Sequence, residues 1–183
     1  MDRSSPYRFA LIGAGWRAEF FLRIVAALPE RFHLAGLIVR NADKGALVEQ
    51  RWGHRTFRSV AALLDTIDTP PEFLVSSVSY AANGEVNLGL LEIDLPILSE
   101  TPPAASLEQM VQFWNAVQSR NGRVQVAEQF HRQPLHAARL EGIRRGRIGP
   151  AHTAYVSVCH GYHGTSLIRC FLGVAFEEAR ITG

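Results

Sequence analysis

Gly13, Ala14, Gly15 and Ala18 form a G-x-G-x-x-A pattern between the apolar run 7–12 and a segment with helical periodicity. Those residue types at that spacing suit the holding of a dinucleotide phosphate. Gly13 allows a tight turn, Gly15 has no side chain to keep a pyrophosphate off the backbone, and small Ala18 lets a helix pack against the strand. An anion there meets the free N–H groups and the positive dipole end of the helix, so Ala14, Trp16 and Arg17 join the two glycines as candidate binding residues.

The elements that must position this turn follow from periodicity. Phe20, Phe21, Ile24, Val25 and Leu28 recur at helical spacing until Pro29, and 34–39 reads as a buried strand. Further along, helices are expected over 44–51, 59–64 and 83–93, and strands over 73–76, 96–98 and 124–127. Ser106 and Gln109 make a capping box opening a helix that buries Met110, Val111, Trp114 and Val117. This alternation predicts a mostly parallel sheet covered on both faces. Beyond it come a helix over 134–145 capped by Gly146, an alternating strand over 151–158, a helix over 165–172 stopped by Gly173, and the start of a strand over 178–182. Such a strand-helix-strand piece cannot bury its own apolar face. Residues 1–128 are therefore expected to form the nucleotide-binding domain, 129–149 a connecting helix, and 150–183 the opening of a truncated second domain. The uncovered apolar surface predicts self-association into a homo-oligomer.

Composition narrows the function classes. At 183 residues, 47% hydrophobic and 20% charged, the chain has the makings of a folded globular protein. No apolar run approaches the roughly 20 residues that span a bilayer, and the first residues lack a signal-peptide pattern, so no membrane association and a cytoplasmic location are expected. A formal charge of +2 gives little reason to expect nucleic-acid binding. Arg132, Arg139, Arg144, Arg145 and Arg147, set against Glu141 alone, read as a solvated helix face. Cys159 and Cys170 read as two buried thiols, too few for a metal site by themselves.

With these residues in view, the chain resembles the glucose-fructose oxidoreductase / inositol dehydrogenase / MocA family of NAD(P)-dependent oxidoreductases. The resemblance rests on Gly13-Ala14-Gly15, on Glu100-Thr101-Pro102, on the run from Ala127 to Pro134, on Arg147-Ile148-Gly149, and on His163-x-x-Ser166-x-x-Arg169-x-x-Leu172-Gly173. It implies a doubly wound Rossmann-type parallel sheet followed by the opening strand-helix unit of an α+β domain. It also implies a sugar or polyol-like small-molecule substrate, and a role for Glu100 in positioning cofactor ribose or backbone. Where the family pattern reads Glu-Lys-Pro, this chain has Thr101. The only lysine, Lys44, follows the second strand and cannot readily substitute. Where the family often shows Asp-x-Gly-x-His, the chain has Cys159 but keeps His163.

Removing hydride from a carbinol carbon leaves a proton that a group titrating near neutrality should accept, and imidazole, ordinarily near 6.5, suits that task. His163 is the first candidate, the alternative being a residue that caps or packs its helix. Glu128 and His131 follow the sixth strand at its carboxyl end, where open α/β sheets bind ligands, and are candidate auxiliaries, although a residue such as His131 is more often a solvated loop residue. Cys159 is either a small apolar core residue or a nucleophile. For the cofactor, the position after the second strand that would offer an acid to a ribose 2′-hydroxyl holds Val39, followed by Arg40 and Asn41, so NADP is favoured over NAD, with Arg40 its candidate partner. A catalytically silent nucleotide-binding protein is the competing reading, motivated by Thr101 and Cys159.

Overall fold

The computed structural model describes residues 5–158, 160–175, 177–178 and 180. The chain divides into two compact units, 1–127 and 128–183. In the first, the strands are β1 (Tyr7–Ile12), β2 (Phe32–Ile38), β3 (Thr56–Phe57), β4 (Phe73–Ser76), β5 (Ile97–Ser99) and β6 (Val124–Val126). They pair in the order β3-β2-β1-β4-β5-β6, every neighbouring pair parallel. This is the doubly wound Rossmann order, and its reversal falls between β1 and β4, where such sheets open their ligand crevice. The two-residue β3 carries too little periodicity to show in the sequence.

Helices α1 (Trp16–Ala27), α2 (Ala42–Trp52), α3 (Val60–Leu64), α4 (Tyr80–Leu90) and α5 (Leu107–Ser119) connect the strands. Because strand side chains alternate between faces, β1 feeds two separate cores. Phe9 and Leu11 pack with Ala18, Leu22 and Val25 of α1, whereas Ala10 and Ile12 pack with Leu63 of α3, Leu90 of α4 and Phe113 of α5.

Two helices bury faces that overlap only in part with the residues expected. In α1 the buried row is Ala18, Leu22 and Val25, while Phe20 and Ile24 stand 46% and 41% exposed. Both rows have helical spacing. The guanidinium groups of Arg17 and Arg23 lie 5.4 and 6.0 Å from the Phe20 ring centroid and shield the outer one. In α5 the core residue is Phe113, 4% exposed, whereas Trp114 is 56% exposed and Val111 also faces out. The cap of α5 forms, since Ser106 Oγ accepts the Gln109 amide at 3.2 Å, but Gln109 Oε1 reaches back to the amide of Ala105 at 3.0 Å rather than to that of Ser106.

The second unit contains a 3₁₀ turn (Phe130–Arg132), α6 (Pro134–Arg144) and α7 (Gly161–Leu172), which begins four residues earlier than expected. Residues 151–158, expected as a strand, run without ladder pairing. Alternation alone does not make a strand, which needs a neighbour's N–H and C=O groups, and among the described residues of this unit there is no other strand. The strand expected over 178–182 falls mostly outside the described residues. No helix among them is long and apolar enough to cross a membrane.

Candidate functional site

The two glycines of the turn do different things. Gly13 leaves β1 with φ +113°, its amide donates to Ile38 O at 3.0 Å, and a Cβ there would run into the Ser77 carbonyl. It is a packing requirement of the crevice itself. Gly15 caps α1 in an extended conformation (φ −84°, ψ 177°) that any residue adopts, and nothing lies within 4 Å of where its Cβ would stand. No side chain caps the first turn of α1, so the amides at Trp16, Arg17 and Ala18 face that open side. Ser77 Oγ, buried at the end of β4, has no partner among the described residues. An open, uncapped helix N-terminus at the switch point, with a spare hydroxyl group beside Gly13, fits a dinucleotide phosphate. Ala14 is half-buried between the glycines, and Trp16, 73% exposed, meets Phe20 edge-on at 5.6 Å.

Glu100 follows β5 and is buried, with both oxygens already engaged: Oε1 accepts from Arg17 Nε at 2.8 Å and Oε2 from the Thr101 amide at 3.3 Å. The ion pair ties the first turn of α1 to the end of β5, so Arg17 and Glu100 shape the crevice through each other. The loop after Glu100 is held by two buried asparagines that the sequence reading did not single out. Asn83 Nδ2 donates to the carbonyls of Glu100 (3.0 Å) and Pro102 (2.6 Å), and Asn87 Nδ2 to the Pro103 carbonyl (2.9 Å) and Ser99 Oγ (2.8 Å). The available signal was their spacing, four apart and so on one face of the helix expected over 83–93. Thr101 is half-buried, and its bond to Pro102 is cis.

At the end of β2, Val39 is buried in the core, Arg40 is exposed, and Asn41 is consumed in capping α2, its Oδ1 accepting the Lys44 amide at 2.8 Å. A second guanidinium reaches the same place from the residue after β3. Arg58 Nη1 donates to the Val39 carbonyl and, at 3.5 Å, to that of Asn41, and Nη2 donates to Thr56 Oγ1 at 3.3 Å.

In the second unit, His163 of α7 is buried at 7% exposure and its Nδ1 lies 2.6 Å from Glu128 Oε2. An ionised carboxylate only accepts, so Nδ1 is the donor to Glu128, and in the neutral imidazole this arrangement puts the lone pair on Nε2. Glu128 is held in turn by the Phe130 amide, which donates to Oε1 at 2.9 Å. The Phe130 ring stacks on the imidazole at a centroid separation of 4.0 Å, and Tyr162 lies 4.4 Å away. His131 is half-buried rather than solvated, and its Nδ1 is buried without a partner among the described residues. Cys170, expected to be buried, is a free, exposed thiol, although it stands on the α7 face of the buried Leu167 and His163, three and seven residues on from them. Cys159 lies outside the described residues. Among the described residues no three His, Cys, Asp or Glu side chains gather as a metal site requires.

Comparison with known proteins places these features. Structures with the same fold include the WlbA dehydrogenase of Bordetella pertussis in complex with NADH and UDP-GlcNAcA (TM-score 0.68, 21% identity, 79% of this chain and 44% of that one). A myo-inositol 2-dehydrogenase from Lactobacillus plantarum superposes at TM-score 0.74 with 16% identity, over 92% of this chain and 57% of that one. A super-repressor mutant of Gal80p from Saccharomyces cerevisiae matches at TM-score 0.68 and 21% identity, over 79% of this chain and 40% of that one. The chain thus spans between 40% and 57% of the length of these three structures. No curated protein matches the sequence. Residues 7–128 match the family described as an oxidoreductase family with an NAD-binding Rossmann fold, and the chain belongs to that glucose-fructose oxidoreductase / inositol dehydrogenase / MocA family.

Proposed function

We propose that the chain is the nucleotide-binding part of an NAD(P)-dependent oxidoreductase acting on a sugar, polyol or related hydroxy compound. The observation that carries the nucleotide reading is the pairing of Gly13, forced by the Ser77 carbonyl, with Gly15, where neither the backbone conformation nor any neighbour within 4 Å requires glycine and the space in front of α1 is left open. Bound there, the nicotinamide cofactor supplies the hydride donor or acceptor. The chain's own residues supply the rest. Gly15 and the amides at Trp16 and Arg17 take the phosphates, and Glu100, locked by Arg17, fixes the loop that presents Thr101.

The proton falls to His163. Glu128 holds its Nδ1–H, which sets the tautomer, leaves Nε2 as the base, and compensates the imidazolium once the substrate hydroxyl proton has been taken. Thr101 donates a hydrogen bond but supplies neither charge nor base. His131, with an unpartnered Nδ1, is an auxiliary donor or acceptor.

Calorimetry with NAD(H) and NADP(H) tests the nucleotide reading; no binding at millimolar concentration to folded protein rejects it. Within an active protein containing this chain, His163→Ala should lower turnover about 10²- to 10⁴-fold with nucleotide affinity nearly unchanged, and full activity in that variant removes the acid/base assignment. Thr101, standing where the family pattern has lysine, favours a second reading, a nucleotide-binding protein without turnover. Binding without oxidation or reduction across a sugar and polyol panel decides for it.

A further inference from the structure

Arg58 is the unexplained residue of the first unit. It is exposed, yet its guanidinium is fixed on three acceptors: the carbonyls of Val39 and Asn41, and Thr56 Oγ1. The fixing extends outward. Thr56 Oγ1 and the Thr56 amide both donate to Glu49 Oε1, at 2.7 and 2.6 Å, so α2 braces the strand residue that braces the arginine. Those hydrogen bonds hold the Glu49 carboxyl below its ordinary range. Space has been made as well. Gly45 of α2 is buried directly beneath, and a Cβ there would stand 2.6 Å from Nη1 and 2.8 Å from Nη2.

A guanidinium carries five N–H donors. Three point to the acceptors just named, which leaves Nε–H and one Nη2–H without an acceptor among the described residues. Arg58 therefore stands over the carboxyl end of β2 with donors to spare, beside exposed Arg40 and at the place where an acid would recognise a ribose 2′-hydroxyl. The one carboxylate in its network is already committed to Thr56.

We propose that Arg58, with Arg40, forms a clamp for a phosphomonoester on the adenosine ribose, Arg58 being the preorganised arm and exposed Arg40 its companion. This rests on the nucleotide reading above and adds to it the class of nucleotide, a 2′-phosphorylated one. A merely structural Arg58, tying β2 to β3, would not distinguish 2′-phosphorylated from unphosphorylated ligands. That difference is what the experiment reads.

The test is calorimetric titration of wild-type protein, Arg58→Ala, Arg40→Ala and Gly45→Ala with NADPH, NADH, adenosine 2′,5′-bisphosphate and AMP. Wild type is expected to prefer the 2′-phosphorylated member of each pair. Arg58→Ala should lower affinity for NADPH and the bisphosphate about 10- to 100-fold while leaving NADH and AMP within about two-fold. Gly45→Ala, which keeps the arginine but takes its seat, should reproduce that selective loss. Equal binding of both members by wild type, an Arg58→Ala variant with unchanged preference, or one that loses both equally overturns the clamp and leaves the dinucleotide site standing. Failure of wild type to bind any of the four removes the dinucleotide site, and the clamp with it.

Discussion

Exchanging Gly13 for alanine and Gly15 for serine should separate folding from binding within one motif. At Gly13 the new Cβ must adopt φ +113° and meet the Ser77 carbonyl. Backbone strain of this kind costs about 1–3 kcal/mol, and forcing a methyl group into a packed site costs a further 1–3 kcal/mol or so. Together they take a large share of a typical stability of roughly 5–15 kcal/mol, and at about 2–4 °C per kcal/mol the unfolding midpoint should fall by roughly 5–20 °C. At Gly15 neither penalty exists: φ is −84° and the space is open. Serine is a better N-cap than glycine, so stability should hold within about 0.5 kcal/mol or rise slightly. Its hydroxyl would nevertheless satisfy amides of the first turn and stand where a phosphate must approach, so nucleotide affinity should fall at least ten-fold. Urea unfolding followed by circular dichroism reads the first effect and calorimetry the second. A Gly13→Ala protein as stable as wild type, or a Gly15→Ser protein that binds nucleotide normally, would refute the division of labour.

The packing of α5 gives a second expectation. Phe113→Ala should cost about 3–5 kcal/mol in urea unfolding, whereas Trp114→Ala, larger in volume lost but on the outer face, should stay within about 1 kcal/mol; the reverse order would mean that α5 is rotated. Stability should also decline on acidification from pH 8. Burial first, then Arg8 and His54, depresses His33, and burial depresses His54. The unfolded chain therefore takes up protons before the folded one, and this contribution, present in full above about 6.5, is lost as pH falls below that ordinary imidazole value. Replacing both histidines with glutamine should flatten the midpoint between pH 7.5 and 5.5, and an unchanged slope would show that neither contributes.

The sheet was legible because its strands, buried on both faces, carry continuous apolar runs between turn signals, as at 9–12 and 73–75. The helix faces were less so. In α1 the periodic residues Phe20, Phe21, Ile24, Val25 and Leu28 mix the two sides: Val25 and Phe21 do pack on the core with Ala18 and Leu22, whereas Phe20 and Ile24 face out, and only the guanidinium groups over Phe20 show why it is tolerated there. Residues 151–158 have the pattern of a strand, but pairing is a property of two segments and cannot be read from one. The site divides in the same way. Gly13, Gly15 and the Glu100 loop stand in local motifs, whereas Arg58 on Val39, Asn87 on Pro103 and Glu128 on His163 join residues 16 to 35 positions apart.

The hydrogen bonds from Asn83 and Asn87 run to backbone carbonyls on either side of residue 101, and none uses the side chain of residue 101 itself. The loop is thus a socket whose shape does not depend on what is plugged into it. A lineage could exchange lysine for threonine here and lose an ammonium group without losing the frame that aimed it. The reverse exchange, Thr101→Lys, would install a cation on a mount that is already built.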